Sequence, residues 1–161
     1  MKLIEYEDKY LEDVKELLVQ LEEYIVSIDK DYLDQLHPDY REKMAIIDLK
    51  EVNDSNGKCY LAVENDNVLG LIMGYIPVYD EFDYLDYKCP KRGKISELIV
   101  TSKIRSRGVG QALIDRMEQY FKGEGCEYVL VDVFAYNENA IRFYDKKGYH
   151  SRMFTNIKKI K

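Results

Sequence analysis

Apolar residues recur at Leu11, Val14, Leu18, Leu21, Ile25 and Ile28, in steps of three and four that lay one stripe along a helix. His37-Pro38 punctuates the chain. A second helix is predicted from about Asp39 to Val52, with Tyr40, Met44, Ile47 and Val52 inward. Before them, residues 2 to 6 read as a short strand. After the turn Asp54-Ser55-Asn56-Gly57 the period changes. Lys58 to Glu64 and Val68 to Val78 read as strands joined at Asn65-Asp66-Asn67, which is hairpin chemistry. Gly70 and Gly74 inside the second run suggest a bulge or a close neighbour. A loop from Tyr79 to Arg92 leads to a strand from Lys94 to Thr101. A helix then opens at Gly108, with Val109, Ala112, Leu113, Met117, Tyr120 and Phe121 on one face, and Gly123 and Gly125 stop it. Glu127 to Phe134 reads as a strand, Asn137 to Lys147 as a short helix closed by Gly148, and Tyr149 to Lys158 as a last strand-like segment. The order β-α-α-β-β-β-α-β-α-β predicts one α/β domain on a mixed sheet.

With 161 residues, the chain is long enough for one ordinary domain to bury a core. Apolar residues at 46% and charged residues at 34% exclude a disordered chain, and no apolar run is long enough to span a bilayer. The opening MKLIEYEDKY turns acidic too soon for a signal peptide. Cys59, Cys89 and Cys126 are far apart, with neither a disulfide framework nor a metal knuckle, so reduced thiols, no metal and a cytoplasmic location are expected. A net charge of −6 argues against nucleic-acid binding and suits cationic small molecules or basic peptides. No membrane partner is expected, and a homodimer is compatible with the sequence.

The chemistry concentrates in SELIVTSKIRSRGVGQALIDRM, residues 96 to 117. A helix N-terminus leaves its first N–H groups unpaired and carries roughly half a positive charge. Gly108 and Gly110 allow an anion close to the backbone, and Arg105 and Arg107 add donors suited to phosphate oxygens. A phosphate-binding mouth is therefore predicted at residues 105 to 110. A Walker loop is excluded because Gln111-Ala112 follow Gly110, and a dinucleotide fingerprint because Leu113 fills the third small position.

The run R-S-R-G-V-G resembles the Q/R-x-x-G-x-G/A signature of the GCN5-related N-acetyltransferases. Downstream, N-E-N-A-I-R-F-Y-D-K-K-G-Y, residues 137 to 149, is similar to the second signature of that family. Ser102 stands where proline is frequent and Ser106 where glycine is frequent; neither removes a donor from the loop. The resemblance implies an α/β (α+β) fold with a mixed, mostly antiparallel sheet of six to seven strands, splayed at the cofactor site and flanked by about four helices. It implies acetyl-CoA as donor, with coenzyme A as product. The backbone of Arg105, Ser106, Arg107, Gly108, Val109 and Gly110 would cradle the pyrophosphate, and Leu98, Ile99 and Val100 would run beside the pantetheine arm. A bulge would splay this strand from the next. Asn137 would bond the arm, Ala140 would leave room for it, and Tyr144 would lie near the thioester sulfur.

An amine that attacks a thioester must first be neutral, yet an alkyl ammonium has a pKa of about 10. Glu97 is the candidate base: on a regular strand it points with Ile95 and Ile99, and apolar neighbours would raise its pKa. A backbone N–H near Ile99 or Val100 could polarise the carbonyl, and Tyr144 is the candidate acid for the leaving thiolate. His37 and His150 read as structural or surface residues. The loop Y-D-E-F-D-Y-L-D-Y interleaves Asp80, Glu81, Asp83 and Asp86 with aromatics, which suits an ammonium group, though a solvated loop or a dimer contact would look the same. The leading expectation is acetyl transfer to a cationic primary amine, such as a polyamine, an aminoglycoside, a lysine or a peptide N-terminus. Alternatives are acetylation of a neutral amino-acid amine and a non-catalytic acyl-CoA sensor on the same fold.

Overall fold

The computed structural model describes residues 1–104 and 108–161, with the side chain of Lys103 excepted. Ten elements follow along the chain: β1 (Lys2–Glu5), α1 (Leu11–Ile28), α2 (Tyr40–Asp54), β2 (Lys58–Glu64), β3 (Asn67–Tyr75), α3 (Asp83–Asp86), β4 (Arg92–Val100), α4 (Val109–Gly123), β5 (Tyr128–Val131) and α5 (Glu138–Lys146). The strands lie in the order β1-β2-β3-β4-β5. The first four are antiparallel, and β5 runs parallel to β4 through the α4 crossover.

Period-two alternation sends successive strand residues to opposite faces of the sheet. Tyr60, Ala62 and Ile72 join Leu113, Ile114, Met117 and Phe121 of α4 in one core. Cys59, Leu61, Leu71 and Met73 join Val14, Leu17 and Leu18 of α1 and Ala45 and Val52 of α2 in the other. Each fully buried side chain of that kind contributes about 1.5–3 kcal/mol. Two layers of helix thus enclose the sheet. The glycines inside β3 fit this close packing. A Cβ on Gly74 would lie 2.8 Å from the Lys94 carbonyl oxygen and 2.9 Å from the Phe121 ring, and one on Gly70 would lie 2.5 Å from the Ile99 carbonyl oxygen.

Four expectations change. The sheet has five strands among the described residues, not six to seven, and residues 149–161 form no strand. Alternation alone does not make a strand, because the backbone needs a neighbour to bond. Five α-helices replace the expected four, since a single turn, α3, forms inside the acidic loop. The expected strand over Glu127 to Phe134 shortens to Tyr128–Val131, and residues 132–134 leave the ladder. The inward face of α2 consists of Ala45, Asp48 and Val52, while Ile47 is 56% exposed. That helix buries a carboxylate and exposes an isoleucine, the reverse of what its composition suggests.

Candidate active site

β5 pairs with β4 only from Arg92 opposite Tyr128 to Ile95 opposite Val131. β3 stays paired with β4 as far as Val100. From Ser96 onward, β4 therefore has no β5 partner, and the sheet opens on that side, as the resemblance implied. The register with β3 shifts at the same place: Met73 lies opposite Glu97 and Gly74 opposite Ile95, which leaves Ser96 as the extra residue of a bulge.

The bulge decides where Glu97 points. Ile95 belongs to the α4-side core, whereas Ile99 belongs to the α1/α2-side core. Opposed residues share a face, so Glu97 lies with Met73 and Ile99 beneath α1 and α2, opposite to Ile95. The regular-strand reading, which kept all three together, is corrected by one inserted residue.

Beneath those helices Glu97 meets other acids. Burial pushes its carboxyl up to about 8, and the charges of Asp48 and Glu22 push the same way. Asp48 is 7% exposed, and its Oδ2 has no hydrogen-bond partner. Burial, with Glu51 nearby, raises it to about 6. Glu22 is raised by burial and by Asp34, and it receives the Tyr40 hydroxyl. Tyr40 in turn is held far above the ordinary phenol range by burial and by Glu22, Glu97 and Asp48. Glu22, Asp48 and Tyr40 were missed in the sequence, for they lie on two helices far from Glu97. One signal was there: Asp48 occupies a helical stripe with Ala45 and Val52.

α5 supplies the other wall. Asn137 caps it, its Oδ1 accepting the Ala140 N–H at 3.1 Å and the Tyr24 hydroxyl at 3.4 Å. That leaves the amide NH2 as the donor Asn137 can offer a ligand. Lys147 pairs with Asp115 at 2.5 Å, and the Tyr149 hydroxyl donates to Glu118 at 2.8 Å, which fixes the end of α5 against α4. Ala140 packs on the same core. Tyr144 is buried between Phe143 and Tyr149, with ring centroids at 5.3 Å and 5.4 Å. Burial first, and then the charge of Glu97, hold its hydroxyl well above the usual phenol range. Glu97 and Tyr144 thus sense each other at the opening.

A strap crosses this end. Asp29 accepts the N–H groups of Asp31, Leu33 and Asp34 and shapes the α1–α2 loop, and these bonds hold its carboxyl below the usual range. The Tyr136 hydroxyl then donates to Asp31 at 2.9 Å. Lys30 sits 5.0 Å above the Tyr136 ring.

On the donor side, Gly108 is the residue before α4 and has φ of +76°, a left-handed conformation that glycine adopts freely. No side chain caps α4 among the described residues, so its first N–H groups have no side-chain acceptor there. Val109 is buried and Gly110 half-buried; a Cβ on Gly110 would approach Val100 at 3.5 Å and Phe143 at 3.8 Å. Arg105, Ser106 and Arg107 lie outside the described residues. Leu98 and Val100 pack on the α4-side core, and Ile99 on the other. Among the described residues, a helix N-terminus without a side-chain cap lies beside a strand edge that β5 has left, and that pair fits an anionic donor with an amide-bearing arm.

The acidic loop lies elsewhere. Asp80 Oδ1 accepts the Phe82 and Asp83 N–H groups, and Asp83 Oδ2 accepts the Asp80 N–H. Asp80, Glu81 and Asp86 are exposed. Tyr79 and Tyr87 pack around Arg92, at 4.3 Å and 5.8 Å, at the opposite end of β4 from Val100.

Comparison with known proteins bears on the fold and the family. The model of the acetyltransferase (GNAT) family matches residues 21–149. An uncharacterized N-acetyltransferase of Methanocaldococcus jannaschii is 33% identical over 95 residues, covering 58% of this chain and 54% of that protein. The uncharacterized protein YdhI of Bacillus subtilis is 38% identical over 58 residues, 35% of this chain and 36% of that one. These alignments span about half and about a third of the two relatives' own lengths. Among solved structures, a Pyrococcus furiosus protein assigned as an acetyl transferase superposes with a TM-score of 0.74 at 22% identity, covering 99% of both chains. An aminoglycoside N-acetyltransferase in complex with CoA gives 0.70 at 15% identity, covering 98% of this chain and 93% of that one. The chain belongs to the acetyltransferase (GNAT) family.

Proposed function

We propose that this protein transfers the acetyl group of acetyl-CoA to a cationic primary amine, by direct attack in a ternary complex. The observation that carries this reading is Glu97: a carboxylate set at the bulge where β5 departs, raised to about 8, and felt by Tyr144. Leu98, Ile99 and Val100, the N-terminus of α4 from Gly108 to Gly110, residues 105–107, Asn137 and Ala140 would hold the donor. When bound, acetyl-CoA supplies the activated acetyl group.

Glu97 pairs with the acceptor ammonium and takes one of its protons, so that the neutral nitrogen can attack the carbonyl carbon. The C–N bond forms and the C–S bond breaks. Tyr144 gives its proton to the sulfur and regains one from the nitrogen by way of Glu97 or solvent. Overall the nitrogen loses two protons; one ends on the thiol and one in solvent. The coupling between the two residues has a useful sign. While Glu97 is charged, Tyr144 holds its proton more firmly. Once Glu97 is protonated that repulsion ends, and Tyr144 becomes a better acid as the thiolate departs. A positioned acid or base of this kind is worth about 10²–10⁴-fold.

Acetyl-CoA turnover, read as thiol release against a panel of polyamines, aminoglycosides, amino acids and peptides, tests the reading. Turnover on cationic amines is expected, and none on any member would overturn it. Gly110→Glu should remove donor binding by crowding and repelling the pyrophosphate; unchanged affinity in a calorimetric titration would sink the donor placement.

A further inference from the structure

Glu97 suffices to hold and deprotonate one ammonium, yet three carboxylates converge beneath α1 and α2. Glu22 comes from α1, Asp48 from α2 and Glu97 from β4; the Tyr40 hydroxyl bonds Glu22, and the charges of all three acids act on it. The charges acting on Glu97 are both carboxylates, and among the described residues no lysine or arginine pairs with any of the three. Asp48 is 7% exposed, and its Oδ2 is a buried acceptor with no partner. Such an atom costs free energy in the unliganded protein, and a cationic donor removes that cost. Among the described residues Asp48 makes neither an ion pair nor a cap, and it takes a buried stripe position beside Ala45 and Val52. Three acids with one proton acceptor required leave two whose natural complement is a second positive charge.

We propose that the acceptor is an aliphatic diamine or longer polyamine. Its reacting amine faces Glu97, and its second ammonium is held by Asp48 with Glu22 and the Tyr40 hydroxyl. This rests on the acetyl-transfer reading for the reacting end, but the second site can be tested without turnover. Calorimetric titration of 1,4-diaminobutane and of butylamine into the protein separates the two questions. The diamine should bind at least about 30-fold more tightly, the scale of one buried, hydrogen-bonded charge pair. In Asp48→Asn, which keeps size and shape, that preference should collapse toward parity, and Glu22→Gln or Tyr40→Phe should narrow it. Equal binding of the two amines by the wild-type protein, or a preference that Asp48→Asn leaves intact, would overturn the proposal. Diamine preference without acetylation would refute the transferase reading and keep the site; acetylation without diamine preference would do the reverse.

Discussion

Two acidic clusters occupy this molecule, and they differ in what their carboxylates are left to do. In the loop around α3, Asp80 and Asp83 stand three residues apart, Asp80 exposed and Asp83 half-buried, and each accepts the other's backbone N–H. Beneath α1 and α2, Glu22, Asp48 and Glu97 come from three distant elements, are shielded from solvent, and sit at raised pKa values. An exposed acid is already solvated and gains little from an ammonium, because high dielectric and salt screen the pair. A buried acid lacking a counterion gains much more. The more conspicuous cluster in the sequence is thus the weaker candidate for recognition.

The largest test of that contrast is Glu97→Gln. It should lower kcat/KM by about 10²–10⁴-fold and flatten the pH profile. In the wild type the free carboxylate is the active form, so kcat/KM should climb about tenfold per pH unit below its pKa and level off above about 8. A steep limb that survives in Glu97→Gln would assign the base elsewhere. Next in size, Tyr144→Phe should cut kcat by about tenfold or more while donor affinity holds, and unchanged kcat would remove the acid.

Asp48→Asn should move the pH limb downward, because it removes a charge that raises Glu97. A limb that stays in place would separate the two residues. Stability gives a quieter version of the same contrast. The folded pKa of Glu97 lies above its unfolded value, so its destabilisation is absent at low pH and grows as pH rises from about 4.5 through about 8. Glu97→Gln should therefore raise Tm by about a few degrees at pH 9 and leave it unchanged near pH 4, as read by calorimetry. Joint neutralisation of Asp80, Glu81, Asp83 and Asp86 should have the smallest effect, a change in KM for a cationic acceptor of less than about twofold. A tenfold rise would return recognition to the loop.

Much of the fold was legible because its signals are local. The stripe from Leu11 to Ile28, the β2–β3 hairpin around Asn65-Asp66-Asn67 and the stop at Gly125 each depend on neighbours a few residues away. The glycine at position 108 marked the start of α4 for the same reason, since its φ of +76° suits a residue without a Cβ. What failed was nonlocal. Tyr149 to Lys158 has strand-like composition, but a strand exists only if another edge receives its bonds.

The sequence by itself determined α1, α2, α4 and α5 and the paired motifs that carry the family, because helix formation and motif spacing follow from residue type and short separations; it offered residues 105–110 as the candidate donor-binding turn. It also nominated Glu97 and Tyr144. Only the tertiary structure decided what Glu97 faces. One extra residue at Ser96 inverts the alternation of β4, moves that carboxylate to the side of Glu22 and Asp48, and marks the point where β5 falls away. A bulge is a count between two strands, and no single strand contains it.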